Sequence, residues 1–188
     1  CLFRQEKWGE AIQPLEDFVA MRVEMQKNKR RRVTVEPNLD TALIQLAVSH
    51  DRSDQKDQAL EHLLTLVDYY GAPTPHLAMA LSEQGRLAYQ TGDLKRARTA
   101  LERFINEDKA DKEPFKQGAP PQRSRVMYYL GWVEALEKRH VPAAERFSKV
   151  PRNHPLGADA ALQHGIALVN AENFELAAKH FPQMLNYF

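Results

Sequence analysis

Apolar residues recur along this chain at helical spacing. Ala42, Leu43, Leu46 and Ala47 stand at i, i+1, i+4 and i+5, and Ala59, Leu60, Leu63, Leu64 and Val67 repeat the stripe one segment on. Further stripes run through Leu77, Leu81, Leu87 and Ala88, then Leu94, Ala97, Leu101, Phe104 and Ile105. The second half continues with Val126, Leu130, Val133 and Leu136, with Ala143, Phe147 and Val150, with Leu162, Ile166 and Val169, and with Leu176, Ala177, Phe181 and Leu185. Strand-like alternation is confined to the short RRVTVEP piece at 31–37. Polar and Gly/Pro-rich breaks fall at 33–38, 49–54, 70–75, 91–93, 106–122, 138–142, 151–157 and 170–173. Ser53, Thr74-Pro75 and Pro142 read as helix starts. The pattern predicts an all-α chain of about nine helices in antiparallel pairs, with short turns inside pairs and longer loops between them.

Three windows of the chain align without gaps, at 85–104, 131–150 and 165–184. Each opens on a glycine (Gly85, Gly131, Gly165), has an alanine 12 positions later (Ala97, Ala143, Ala177) and a large apolar residue 4 beyond that (Leu101, Phe147, Phe181). The physical requirement is close helix crossing: small residues stand where two backbones touch, and a bulky side chain one turn on fills the space beyond.

These residues resemble the tetratricopeptide repeat, a helix-turn-helix unit of 34 residues. Leu130-Gly131, Ala143, Phe147 and Pro155 match it best. Weaker copies use Ala47, Ala59 and Leu63, and Ala11 and Leu15 in WGEAIQPLEDF. The resemblance implies a single right-handed α-solenoid over 1–188. It divides into a truncated first repeat with a long second helix (1–32) and repeats at 38–70, 75–107, 121–150 and 155–188. Only the step from Ala143 to Ala177 has the plain family period, Glu134 stands where the family prefers a bulky aromatic, and the copy at 47–63 also fits a hairpin of another helical-repeat family. The phrases HPLGADAALQHGIALV and RVMYYLGWVEAL resemble irregular repeats of bacterial envelope proteins related to outer-membrane assembly lipoproteins and Tol-Pal-associated factors. That likeness favours the periplasm or cell envelope over the cytoplasm.

Composition narrows the classes. With 43% apolar and 27% charged residues and a mean hydropathy of −0.56, the chain is neither disordered nor membrane-embedded. No apolar run reaches the roughly 18 residues of a membrane span. The net charge of +1 creates no global pull toward nucleic acid or anionic lipid. The single cysteine, Cys1, excludes an intrachain disulfide. A leading Cys also fits a lipidated lipoprotein terminus, but it runs directly into helical sequence, and a chain without an initiator Met reads as a mature or excised fragment.

Enzyme signatures are absent: no phosphate-binding glycine loop, nucleophile elbow, HExxH or CxxC occurs. The expectation is a chain without catalysis, cofactor or bound metal. The histidines (His50, His62, His76, His140, His154, His164 and His180) include no i, i+4 pair on one helix and are expected to face solvent or cap helices, with a zinc site built from distant ones as the alternative. Carboxylates interleave with cations at helical spacing, as in Asp93 with Arg96 and Glu134 with Lys138, which reads as solvated helix faces worth ~0.3 kcal/mol per pair. The basic run Lys27, Lys29, Arg30, Arg31 and Arg32 fits the C-terminal turn of a long helix, where cations meet the exposed carbonyls. Its functional alternative is phosphate binding in a nucleic-acid-associated repeat protein. No aromatic interleaves it to stack bases, so nucleic acid is the disfavoured partner.

What remains is recognition of a protein or peptide. The resemblance implies that first helices line a concave groove, placing Ser82, Arg86, Tyr89 and Gln90 on it in one repeat. Arg125, Tyr128, Trp132 and Ala135 follow in the next, and Leu162, Ile166, Val169 and Asn170 in the last. Arg86, Tyr89, Arg125, Tyr128, Trp132 and Ile166 are the candidate partner contacts, since aromatics and Arg dominate binding hot spots. The competing role for Tyr128, Tyr129 and Trp132 is packing between hairpins. The Lys/Asn clamp that some family members use on a C-terminal carboxylate is not expected, because Ile44, Val48, Tyr128, Trp132, Leu162 and Ile166 occupy its positions. Phe181, Leu185 and Phe188 near the end imply flanking repeats, self-association or a covering partner, because a repeat array needs polar caps. The overall expectation is an interaction scaffold, with the regulatory domain of a larger enzyme as a further alternative.

Overall fold

The computed structural model describes residues 5–27, 37–69, 76–109 and 122–185. Among these residues the chain forms helices and no strand. The helices are α1 (Trp8–Lys27), α2 (Pro37–Arg52), α3 (Lys56–Leu64, continued by a π-helical turn at Thr65–Tyr69), α4 (Leu77–Gln90), α5 (Leu94–Lys109), α6 (Arg123–Leu136), α7 (His140–Ser148), α8 (Gly157–Asn170) and α9 (Phe174–Leu185). Each helix packs on its neighbour in sequence, giving hairpins α2–α3, α4–α5, α6–α7 and α8–α9, with α1 lying against α2 and α4 also touching α6. Among the described residues no helix is long and apolar enough to cross a membrane.

The four hairpin turns share one backbone solution. Each is three residues long, with the middle residue left-handed: Asp54 (φ 60°), Gly92 (φ 83°), Lys138 (φ 61°) and Glu172 (φ 58°). In each, the next residue donates its amide to the carbonyl five back, at 2.8–2.9 Å (Gln55 to His50, Asp93 to Ala88, Arg139 to Glu134, Asn173 to Leu168). The left-handed residue itself donates to the carbonyl three back. This is the Schellman termination, which satisfies the orphan carbonyls of the first helix. Only one of the four turns uses glycine, so the other three bear the left-handed penalty of about 1–2 kcal/mol that a side chain carries there. The second helix then starts at once: Asp93 accepts the Arg96 amide at 3.0 Å and Asn173 the Leu176 amide at 3.4 Å.

The glycine–alanine–bulky triplets are contacts across these hairpins. A Cβ on Gly85 would lie 2.4 Å from Leu101, one on Gly131 2.8 Å from the Phe147 ring, and one on Gly165 2.5 Å from the Phe181 ring. Ala59, Ala97, Ala143 and Ala177 are buried at the equivalent crossing of their hairpins. Leu39, Leu43, Leu63, Leu81, Leu101, Phe104, Val126, Leu130, Phe147 and Ala160 belong to one continuous core cluster, so each hairpin completes the core of the one before it.

Several expectations are corrected. The break expected at 49–54 begins only at Ser53: α2 runs to Arg52, because Ser49 and His50 point inward and are buried, and the turn occupies 53–55. Ser53 does not start α3; Gln55 occupies the cap position, and its side chain is turned back to His50. Glu134 is not on a solvated face with Lys138. It is 0% exposed, and its nearest cation is Arg146, with Nε 3.4 Å from Oε2. The cause is position: Glu134 occupies the buried register that Ala88 and Leu168 hold in the neighbouring hairpins. Asp93 and Arg96 are an exposed pair at 3.4 Å, as expected. Cys1, the break at 33–36, Thr74-Pro75, the segment 110–121 and Phe188 lie outside the described residues.

Candidate functional site

The first helices α2, α4, α6 and α8 are joined side by side through their polar and aromatic residues. Arg86 on α4 donates to three acceptors: Asp51 Oδ2 on α2 at 2.6 Å, Glu83 Oε2 at 2.7 Å and Gln90 Oε1 at 2.9 Å. The second Glu83 oxygen accepts from Arg125 on α6. A chain of alternating charge, Asp51–Arg86–Glu83–Arg125, thus crosses three hairpins. Burial works against the Arg86 charge, and the Glu83 and Asp51 carboxylates outweigh it, so its pKa is raised. Its side chain is 15% exposed and fully engaged, which makes Arg86 a tie between hairpins and not a free cation.

The ledge on α6 is aromatic. Tyr129 packs against Tyr89 of α4 at 5.5 Å between centroids, and Tyr128 stands edge-on to Tyr129 at 5.3 Å and to Trp132 at 6.5 Å. Trp132 in turn stands edge-on to Phe147 at 5.9 Å. Tyr128 reaches across to α8, donating its hydroxyl to Asp159 Oδ2 at 2.5 Å. Burial and the acceptor carboxylate hold the phenol protonated, with its pKa pushed up to about 12. The packing role weighed for Tyr128, Tyr129 and Trp132 is therefore present, and Trp132 keeps part of its surface open while doing so.

Beyond this ledge the surface changes character. Leu162, Ile166 and Val169 on α8 stand at steps of four and three, one stripe of the helix, and are 41%, 40% and 41% exposed. Counting from the repeat glycines, Leu162 and Ile166 hold the register that Tyr128 and Trp132 hold on α6 and that Ser82 and Arg86 hold on α4. Of those earlier residues Ser82 is fully buried instead of open, Arg86 and Tyr128 are bonded between hairpins, and Trp132 is half-buried.

The six candidate contacts are thus sorted by geometry. Arg86, Arg125 and Tyr128 bond between hairpins, Tyr89 packs on Tyr129, Trp132 is half-buried and Ile166 is open. Gln90 and Asn170 are exposed and Ala135 is half-buried. Of the basic run, Lys27 is the last residue of α1, and Lys29, Arg30, Arg31 and Arg32 lie outside the described residues. Asp51, Glu83 and Asp159 were not anticipated. Glu83 is signalled by its i, i+3 spacing to Arg86, but Asp51 and Asp159 reach their partners from other hairpins.

The sequence itself carries the matching signature. A family model described as a tetratricopeptide repeat matches residues 44–114 and 84–158, which together span more than half of the chain. The chain belongs to the tetratricopeptide repeat family. Solved structures agree on the tetratricopeptide architecture. A crystal structure of MamA superposes with a TM-score of 0.73 at 18% identity, covering 99% of this chain and 91% of that one. The kinesin light chain TPR-like repeats of Podosopora anserina give 0.70 at 17% identity, covering 99% and 89%. A tetratricopeptide repeat protein of Parabacteroides merdae gives 0.60 at 16%, covering 96% and 66%. At such identities the likeness shows the fold, an α-solenoid of hairpins. No curated protein matches the chain in sequence. The tetratricopeptide fold generally mediates protein–protein interaction.

Proposed function

We propose that this tetratricopeptide chain is a non-catalytic scaffold that takes a partner protein's segment on the inner face formed by its first helices, at the junction of α6 and α8. The observation that carries this is the exposed aliphatic stripe Leu162–Ile166–Val169 on α8, with the half-open Trp132 in the Ile166 register on α6, the helix that Tyr128 ties to α8 through Asp159. Closing each of these side chains from water contributes on the order of 1 kcal/mol, and tryptophan is a residue type that dominates interface anchors. The α2–α4 end of the same face supports the assignment by contrast, because its charges neutralise one another within the chain. The segment that fits is apolar or amphipathic, with anchors at helical or extended spacing, and not a run of acids or bases. A bacterial envelope setting is part of this proposal on the strength of the sequence phrases at 125–136 and 154–169 alone.

The test is selection of peptides from a displayed random library on the immobilised chain, followed by fluorescence anisotropy with the selected peptides. Ile166→Arg and Trp132→Ala are each expected to weaken binding at least tenfold with unchanged far-UV circular dichroism, while Leu176→Arg on α9 leaves it intact. Equal affinity across all four proteins overturns the assignment.

A further inference from the structure

Glu16 of α1, His50 in the last turn of α2 and His62 of α3 converge where these three helices meet. Each offers one ligand atom, and the three atoms lie within 4.8 Å of one another, the one such group among the described residues. His50 is 3% exposed and its Nε2 is buried without a hydrogen-bond partner, while Glu16 Oε1 stands 3.5 Å away. The other ring nitrogen is committed: Nδ1 lies 2.7 Å from Gln55 Oε1, an acceptor only, so Nδ1 donates there and Nε2 is the ring nitrogen left facing the cluster. His62 stacks on His50 at 5.1 Å with 22° between the rings.

We propose that Glu16, His50 and His62 form a site for one divalent transition-metal ion of the zinc class, clipping α1 to the α2–α3 hairpin. Two imidazoles and a carboxylate suit such borderline ions, whereas calcium and magnesium require oxygen donors throughout. Tetrahedral bonds of about 2.1 Å place donors about 3.4 Å apart. The His50–Glu16 separation already meets that spacing, and a shift of at most about 1.4 Å by the half-exposed His62 closes the rest. The partial exposure of Glu16 leaves the fourth position to water. Gln55 acts through His50 as a positioning residue, fixing its tautomer in the way carboxamide and carbonyl partners hold metal-bound histidines. The other close histidine pair, His164 and His180 at 4.4 Å, lacks these features, because His180 Nε2 is spent on the Ala161 carbonyl at 2.7 Å.

The experiment titrates Co2+ and then Zn2+ into the untagged, chelator-treated chain. Visible absorption reads four-coordinate Co2+, calorimetry reads Zn2+, and a thermal melt reads stabilisation. One ion per chain is expected, with Co2+ bands displaced by Zn2+ and a higher Tm. His62→Gln and Glu16→Gln, at half-exposed positions, are each expected to weaken binding at least tenfold and to abolish the Tm increase. Gln55→Ala is expected to weaken binding about tenfold while keeping the bands. Absence of stoichiometric binding by the unsubstituted chain overturns the proposal whatever the variants do. Binding that persists unchanged in both ligand variants places the ion elsewhere and overturns it as well.

Discussion

Gly131→Ala tests the packing logic of the repeat. The added Cβ would lie 2.8, 2.9 and 3.0 Å from three carbons of the Phe147 ring. Carbon atoms in contact prefer about 3.5–4.0 Å, so the ring or the helix must yield by roughly 0.7 Å. Phe147 has nowhere to go, being 2% exposed with Tyr128 and Trp132 standing edge-on to it at 6.1 and 5.9 Å. Overpacking of this kind costs about 1–3 kcal/mol, and alanine's better helix propensity returns about 1 kcal/mol. The net expectation is a destabilisation of up to about 2 kcal/mol. In a Phe147→Ala background the obstruction is gone, and the same substitution should stabilise by about 1 kcal/mol, giving a coupling of about 1–3 kcal/mol. Gly9→Ala on α1 is the control, since nothing lies within 4 Å of its Cβ and only the propensity gain remains. Urea titrations followed by circular dichroism measure the four proteins of the cycle, and hydrogen exchange in α6 and α7 localises the change. A Gly131→Ala substitution that stabilises equally in both backgrounds would refute the close-crossing argument.

Three other outcomes follow from the same structure. Burial raises the Glu134 pKa above 4.5 against the pull of Arg146, so the folded chain holds this proton more tightly than the unfolded chain. The wild type should therefore gain stability relative to Glu134→Gln as pH falls through the raised folded value toward 4.5, and a Tm difference flat across that window contradicts this. Lys138→Gly and Glu172→Gly relieve left-handed backbone and should each stabilise by about 0.5–1 kcal/mol in urea midpoints, whereas Gly92→Ala, at φ 83°, should destabilise by about 1 kcal/mol. Gly157→Ala at the start of α8 places a Cβ 2.4 Å from the Arg152 carbonyl oxygen, and since backbone cannot swing aside it should lower Tm more than Gly131→Ala does.

The architecture was legible because helix pairing depends on local spacing. The glycine, alanine and bulky residue of each triplet lie within 16 positions of one another, and their periodicity is that of the contact itself. The features that stayed hidden are set by neighbours distant in sequence. Glu134 reads as solvated beside Lys138 until α5 and α7 close over it, and His50 reads as loop until Gln55 and α1 enclose it. The breaks at 49–54, 138–142 and 170–173 are legible as polar strings, but the left-handed backbone of Asp54, Lys138 and Glu172 is not, because no glycine marks it. The charge chain joins Asp51 to Arg86 and Glu83 to Arg125 across 35 and 42 positions, separations that no helical period contains. The exposed stripe on α8 carries the same apolar signature as a buried one, and only the solvent exposure of Leu162, Ile166 and Val169 separates the two.

The most direct measurement of the central claim is a nuclear magnetic resonance map of the isotope-labelled chain with a library-selected peptide bound. The account predicts shifts concentrated on the Trp132 indole and on the methyl groups of Leu162, Ile166 and Val169, fading along α4 and absent from α5 and α7. Shifts centred on α5, α7 and α9, with the Trp132 and Ile166 signals unmoved, would contradict it.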